Sequence, residues 1–174
     1  AAVAMGVGDF LPALEAGTID AAEWCCAKPD SVFGFQKVLK HYYLQGLHQV
    51  VVNADMYING DVWNSLTPDQ QNAMQVAADA SLMRSLARRI YENGKALKDL
   101  TENHGVILHD TPADYFTEYM AATEKLYAKL NAENAFFAKV YASMKEFADI
   151  AVPFWAGAQM SNANLGMAYA KQKQ

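Results

Sequence analysis

The sequence predicts an α/β fold that is rich in helix and short of strands. Long stretches place apolar residues at helical spacing behind Thr-Pro openings. Short β-branched runs fall between them, and helices alternating with strands indicate α/β architecture. The 174 residues are 52% hydrophobic and 19% charged. That suits one ordinary domain or a piece of something larger. It excludes intrinsic disorder, which needs low hydrophobicity and high net charge.

Asp9 to Ala16 form a short helix, with Gly17 placed to stop it. Thr18 to Trp24 (TIDAAEW) read as a short strand or extended run. Gln49 to Asn59 (QVVVNADMYIN) are the clearest strand, β-branched and flanked by turn residues. Asp61 to Leu66 make one helical turn. Thr67-Pro68-Asp69-Gln70 then supply an N-cap hydroxyl, Pro at the first helical position and Gln three after the cap. Met74, Ala78, Leu82, Leu86 and Ile90 follow, then Leu97 and Leu100, as one face of a long helix. His104-Gly105 ends it, and Gly105 to His109 (GVILH) read as a strand. Thr111-Pro112-Ala113-Asp114 opens a second helix with the same kind of cap and a face through Phe116, Tyr119, Thr123, Leu126 and Leu130. A third uses Phe136, Phe137, Val140, Tyr141, Met144 and Phe147, and its pattern loosens after Ile150, around Pro153. Met74, Met83, Met120 and Met144 are expected in the core, and Arg84, Arg88, Arg89, Lys95 and Lys98 on a solvated face. The strands are too few for a well-covered sheet, so the chain is expected to be only part of its fold.

The formal charge of −5 disfavours nucleic acid and anionic membrane surfaces, both of which are held by Lys and Arg. The uncharged run from Ile150 to Ala170 has the length of a membrane span. Its Pro153, Gln159, Ser161, Asn162 and Asn164 make a transmembrane helix costly. Neither GxxxxGK[ST], GxSxG nor HExxH occurs in the sequence. His41, His48, His104 and His109 are scattered, and a lone His is more often a surface or satisfied core residue than a catalyst. Cys25 and Cys26 are adjacent. Neighbours rarely satisfy disulfide geometry with each other, and a nucleophilic role needs a base nearby. Small apolar residues at a strand end are the plainer reading. Glu23 differs, because a carboxylate at the carboxyl end of a strand lies where open α/β sheets bind ligands. It can hold a cation while the Trp24 indole walls a pocket; the bland alternative is a surface Glu beside a half-buried Trp. His41-Tyr42-Tyr43 can line a cleft, although such residues are usually core.

Phe10 to Trp24 (FLPALEAGTIDAAEW) resembles the signature of the solute-binding receptors of TRAP transporters (tripartite ATP-independent periplasmic transporters; DctP-like). The Glu-Trp ending is similar to the branch that binds 2-oxo acids, lactate and related carboxylates. The similarity continues through Gly34-Phe35, through Lys40 to Gln49 (KHYYLQGLHQ) and through Met56 to Ala78. It implies a two-lobed periplasmic-binding-protein-like receptor (class II type), of which residues 1–174 are the C-terminal half, with parts of both lobes. It further implies closure on a small organic acid, delivery to a membrane permease, and no covalent chemistry. Carried over, Glu23 ligates a cation, Trp24 gives a backbone carbonyl to it and an indole wall to the ligand, and Gln49 supplies a further oxygen. These donors suit Na⁺ or Ca²⁺. Gln45 stands where the branch usually has Pro and Leu47 where it often has Trp. Lys28-Pro29 replaces a stretch usually carrying Tyr and Asp or Asn, so the identity of the acid stays open. None of the arginines lies in a motif matching the family's carboxylate clamp, which falls in the other half. In some relatives the C-terminal helix supports homodimers, and the divergent tail leaves that open here. The rival expectations are a helical interaction or structural domain with apolar faces for a partner, and a small enzyme using Cys25 or Glu23.

Overall fold

A computed structural model describes residues 2–44, 46 and 55–172. The chain divides into two compact units, Ala1–Thr111 and Pro112–Gln174. In the first unit α1 (Val7–Glu15) ends as expected. Gly17 takes a φ of 68°, left-handed backbone that glycine adopts without strain, and Thr18 returns both its amide and its hydroxyl to the Ala13 carbonyl at 3.0 Å. Residues 18–24 then form no regular element, bend at Thr18 and Asp20, and pair with no strand among the described residues. The strand alternative for this run is therefore not realised.

Two elements follow that the periodicity did not show. Helix α2 (Ala27–Phe33) ends at Gly34 with φ 89°, a turn over Phe35–Lys37 follows, and β1 is His41–Tyr43. Strand β2 (Ile107–His109) pairs with β1 in parallel, with Tyr42 opposite Leu108. The predicted Gly105–His109 strand is thus present, and its partner is the aromatic run. Of the expected strand at Gln49–Asn59, residues 49–54 lie outside the described residues, and 55–59 carry no regular structure.

Between the strands lie α3 (Gly60–Ser65) and α4 (Pro68–Asn103). Asn59 caps α3 by accepting from the amides of Asp61 and Val62. Thr67 and Gln70 form the anticipated capping box on α4, at 3.3 and 2.8 Å. Gly105, with φ 64°, turns the chain after α4, and the Val106 amide bonds back to the Leu100 carbonyl at 3.1 Å.

The core of this unit is small. Ala27, Ala96, Leu100 and Val106 are buried together, with Tyr42 and Leu97 packed against them. Asn93 Oδ1 accepts from the Lys28 amide at 2.8 Å and ties the start of α2 to α4. Lys40 donates to the carbonyls of Gln36 and His104 at 2.8 and 2.9 Å, so it fastens the entry to β1 against the end of α4. Only the last turns of α4 are therefore packed. The predicted apolar face has the expected spacing, and Leu82, Leu86 and Ile90 on it are 61%, 50% and 69% exposed. Met83, Met120 and Met144 are likewise exposed instead of core. No element among the described residues covers them. The basic residues of α4 are solvated, as expected.

In the second unit α5 (Ala113–Glu133) and α6 (Ala135–Lys171) are joined at Asn134. Asn134 leaves helical backbone at φ −141°, ψ 106° and caps α6 by accepting from the Phe137 amide. Tyr127 packs on Phe137 and Tyr141, with ring centroids 5.9 and 5.0 Å apart. Two expectations are corrected here. The N-cap of α5 is Pro112, not Thr111, because ψ 140° leaves the proline outside the helix. The helix at Phe136 does not loosen after Ile150. It runs through Pro153, which removes only its own N–H bond, with helix-forming Ala151, Ala156 and Ala158 on either side. No helix among the described residues is long and apolar enough to cross a membrane.

Leu100→Ala should destabilise the chain by about 2–5 kcal/mol, the usual cost of emptying a packed leucine site. Leu86→Ala should cost less than about 0.5 kcal/mol, as for other surface changes. Urea unfolding followed by circular dichroism compares the two.

Candidate functional site

The first unit contains a cleft of about 600 Å³. One wall is the irregular run Asp20–Cys25. The other is the segment from Phe35 through β1, and Leu100 and Val106 of the core contribute apolar lining. The small core therefore reaches the site directly: Leu100 and Val106 belong to the core and also line the cleft.

Glu23 and Trp24 both line it. Trp24 is 38% exposed and is held edge-on by Phe33 and Phe10, with centroids 5.3 and 6.1 Å away. Such aromatic pairs contribute about 0.5–1.5 kcal/mol each beyond their buried area. The indole is thus fixed from α1 and α2 while its free surface faces the cleft. Gln49 lies outside the described residues, so the structure brings together two of the three residues singled out from the sequence. His41, Tyr42 and Tyr43 line the cleft as well. The His41 and His109 rings share a hydrogen bond of 2.8 Å across the two strands, and Tyr43 stacks on His109 at 4.9 Å.

One residue of the site was not found by sequence reasoning. Asp30, only 9% exposed, also lines the cleft. Its Oδ2 accepts from the Tyr42 hydroxyl at 2.7 Å, and its Oδ1 is buried with no hydrogen-bond partner among the described residues. Burial pushes the Asp30 carboxyl above its ordinary value; the Tyr42 hydroxyl and the amides of Cys25 and Cys26 oppose that rise, and the charge of Glu23 adds to it. Burial and the Asp30 carboxylate together push the Tyr42 hydroxyl far up.

The cleft carries more acid than base. Asp20, Glu23 and Asp30 line it, against Lys40 and His41, and the Lys40 ammonium is engaged by two carbonyls. A bare carboxylate would be repelled. The Glu23 carboxylate and the Trp24 carbonyl are hard oxygen donors of the kind that bind Na⁺ or Ca²⁺. No group of three or more His, Cys, Asp or Glu suited to a metal occurs among the described residues, and Ca²⁺ takes about six to eight oxygens. The donor chemistry fits such an ion only when a ligand supplies further oxygens. Nucleophilic chemistry at Cys25 is poorly served: burial and the neighbouring Cys26 push its thiol up to about 11, whereas reactive cysteines have lowered values.

Residues 1–134 match the family model described as bacterial extracellular solute-binding protein, family 7 (DctP). The chain is 29% identical over 144 residues to a monocarboxylate 2-oxoacid-binding periplasmic protein of Nostoc sp. PCC 7120, covering 80% of this chain and 38% of that protein. Among solved structures it is similar to a TRAP transporter solute-binding protein from Bordetella bronchiseptica RB50. The TM-score there is 0.81 at 30% identity, over 96% of this chain and 49% of that one; that structure is a mixed-occupancy dimer with copurified calcium and picolinate in one site. A TRAP periplasmic solute-binding protein from Pseudoalteromonas atlantica T6c, with bound sodium and pyruvate, shares the fold at a TM-score of 0.74 and 23% identity, over 93% of this chain and 49% of that one. The chain spans half or less of the length of these relatives.

Asp30 gives the stability of the chain a pH signature. Its carboxyl is raised in the folded state from an ordinary value of 3.8, so the fold favours the protonated form. That stabilisation is present below 3.8 and is lost as pH rises through the raised value. Asp30→Asn lacks this loss. The difference in unfolding midpoint, Asp30→Asn minus wild type, should therefore grow more positive from acid to neutral pH in parallel thermal melts.

Proposed function

We propose, since the chain belongs to family 7 of the bacterial extracellular solute-binding proteins, that it is the C-terminal half of a periplasmic receptor. The receptor captures a small 2-oxo or related carboxylic acid together with a cation and hands it to a TRAP membrane permease. The observation that carries this reading is the placement of the Glu23–Trp24 pair in the wall of the acidic cleft. That is where an ion and an anionic solute must meet if neither binds well alone. The bound cations and acids of the solved relatives support the same pairing.

In this reading Glu23 contributes an anionic oxygen and Trp24 a carbonyl oxygen to Na⁺ or Ca²⁺, with Gln49 as a third donor. When bound, such an ion offsets the charge of the solute carboxylate. The Trp24 indole, fixed by Phe10 and Phe33, packs against the solute and limits its size. Asp20, Glu23 and Asp30 make the empty cleft unfavourable for an anion, so acid and ion enter as a unit. The other half of the receptor closes over this cleft, and contacts from both sides favour the closed state of a hinge. The chain's residues make and break no covalent bond in this cycle.

The exposed apolar residues of α4 and α6 favour a second reading, a helical domain whose faces serve a protein partner. The first reading accounts for those faces without a partner: a chain half the length of its relatives leaves uncovered what the remainder packs against.

Calorimetric titration of a receptor of family length with pyruvate should show binding that depends on Ca²⁺ or Na⁺. Glu23→Ala should weaken it by about 100-fold or more, since even groups that only support metal ligands cost about 10–100-fold when removed. Unchanged affinity in Glu23→Ala, or ion-independent binding, would contradict the assignment. The half chain alone should bind the acid at least tenfold more weakly than the whole receptor, because it lacks the closing wall; about tenfold corresponds to 1.4 kcal/mol of lost contact.

A further inference from the structure

Cys25 and Cys26 stand between Trp24 and the start of α2, and both are free. In a regular extended run consecutive side chains point to opposite faces. Here the chain bends at Cys25, and the two Sγ atoms come within 3.2 Å of each other. Cys25 is exposed and lines the cleft, so a small thiol reagent in solution reaches it. Two thiols held this close are placed for one to attack a sulfur bonded to the other; the raised Cys25 value slows that exchange at neutral pH, so mildly alkaline conditions favour it.

We propose that Cys25 and Cys26 are a site of reversible covalent modification, joined as a vicinal disulfide by a small-molecule disulfide such as oxidised glutathione. One cysteine thiolate attacks a glutathione sulfur, forms a mixed disulfide and releases the first glutathione as thiolate. The other cysteine attacks the protein sulfur of that mixed disulfide and releases the second. The Cys25–Cys26 S–S bond forms as the glutathione S–S bond is consumed. Two electrons pass from the cysteine pair to the glutathione, and the two thiol protons end on the two glutathione thiols.

Neighbouring Cα atoms are only about 3.8 Å apart, short of the roughly 4.4–6.8 Å that disulfides prefer. The closed ring is therefore strained. Strained, exposed disulfides are the labile and regulatory ones, so the bond is easily reduced again. Closure also turns the peptide whose amides act on the Asp30 carboxylate and which leads directly from Trp24. The cleft wall differs between the two redox forms. The modification rests on the thiols alone and not on the identity of the solute.

The chain, incubated with oxidised glutathione in mildly alkaline buffer and mapped by mass spectrometry, reports the outcome. The wild type should lose two hydrogens at the Cys25–Cys26 peptide, keep no glutathione, and regain the hydrogens with dithiothreitol. C25S and C26S should each retain one glutathione, at least about tenfold more than the wild type, because no neighbouring thiol resolves the adduct. The readout is a mass, so it holds even if a serine variant unfolds. Repeating the wild-type reaction in urea supplies the second arm, in which closure should be slower than in the folded chain. Retention of glutathione by the wild type, intermolecular dimers in place of the internal bond, or closure no slower in urea would overturn the proposal.

Discussion

The packing of α2 against the last turns of α4 is the contact on which the first unit depends. Ala27 and Leu100, each 2% exposed, meet there, with Ala96 and Val106 beside them. The Tyr42 hydroxyl reaches across to Asp30 on α2 and ties the short parallel sheet to the same point. The irregular run that carries Glu23 and Trp24 enters α2 directly, so its path is set by this docking. Asp30 Oδ1 is buried with no hydrogen-bond partner among the described residues, and burial raises the carboxyl so that the fold favours its protonated form.

Away from this point apolar surface is abundant. Ile90 on α4 and Phe147 on α6 are 69% and 73% exposed, although their spacing along the helices is that of apolar faces. Amphipathic helices gain most of their stability from packing such a face. Their exposure agrees with a chain that matches half or less of each relative. The acidic cleft is similar: among the described residues its lining has few donors for an ion and more acidic than basic groups.

Local chemistry made much of this legible in the sequence. The Thr67–Gln70 capping box, the Gly17 stop and the Gly105 turn are each written in adjacent residues and appear as expected. Helix α2 has seven residues with Pro29 inside its first turn, too short for any period to show. Strand β1 has three and is recognisable only through its partner 66 positions later in register. The bond from Tyr42 to Asp30 joins residues 12 apart and needs the sheet and α2 to be in place first. The apolar pattern loosens around Pro153, so periodicity does not show how far the last helix runs, and the flanking helix formers carry α6 through the proline. The exposure of the α4 face was not legible, because periodicity shows which face is apolar and not whether anything covers it. Glu23 and Trp24 stood out through family resemblance; composition alone would have left them as a surface acid and a half-buried indole.

The central claim is that Glu23 and Trp24 hold an ion that in turn holds an acid. A crystal structure of the family-length receptor grown with calcium and pyruvate tests it most directly. An anomalous peak about 2.3–2.6 Å from a Glu23 carboxylate oxygen, the normal calcium–oxygen distance, with pyruvate bridging to it beside the indole, is the predicted result. Calcium and pyruvate bound apart from each other, or a Glu23 carboxylate turned to solvent with pyruvate in the cleft, would contradict it.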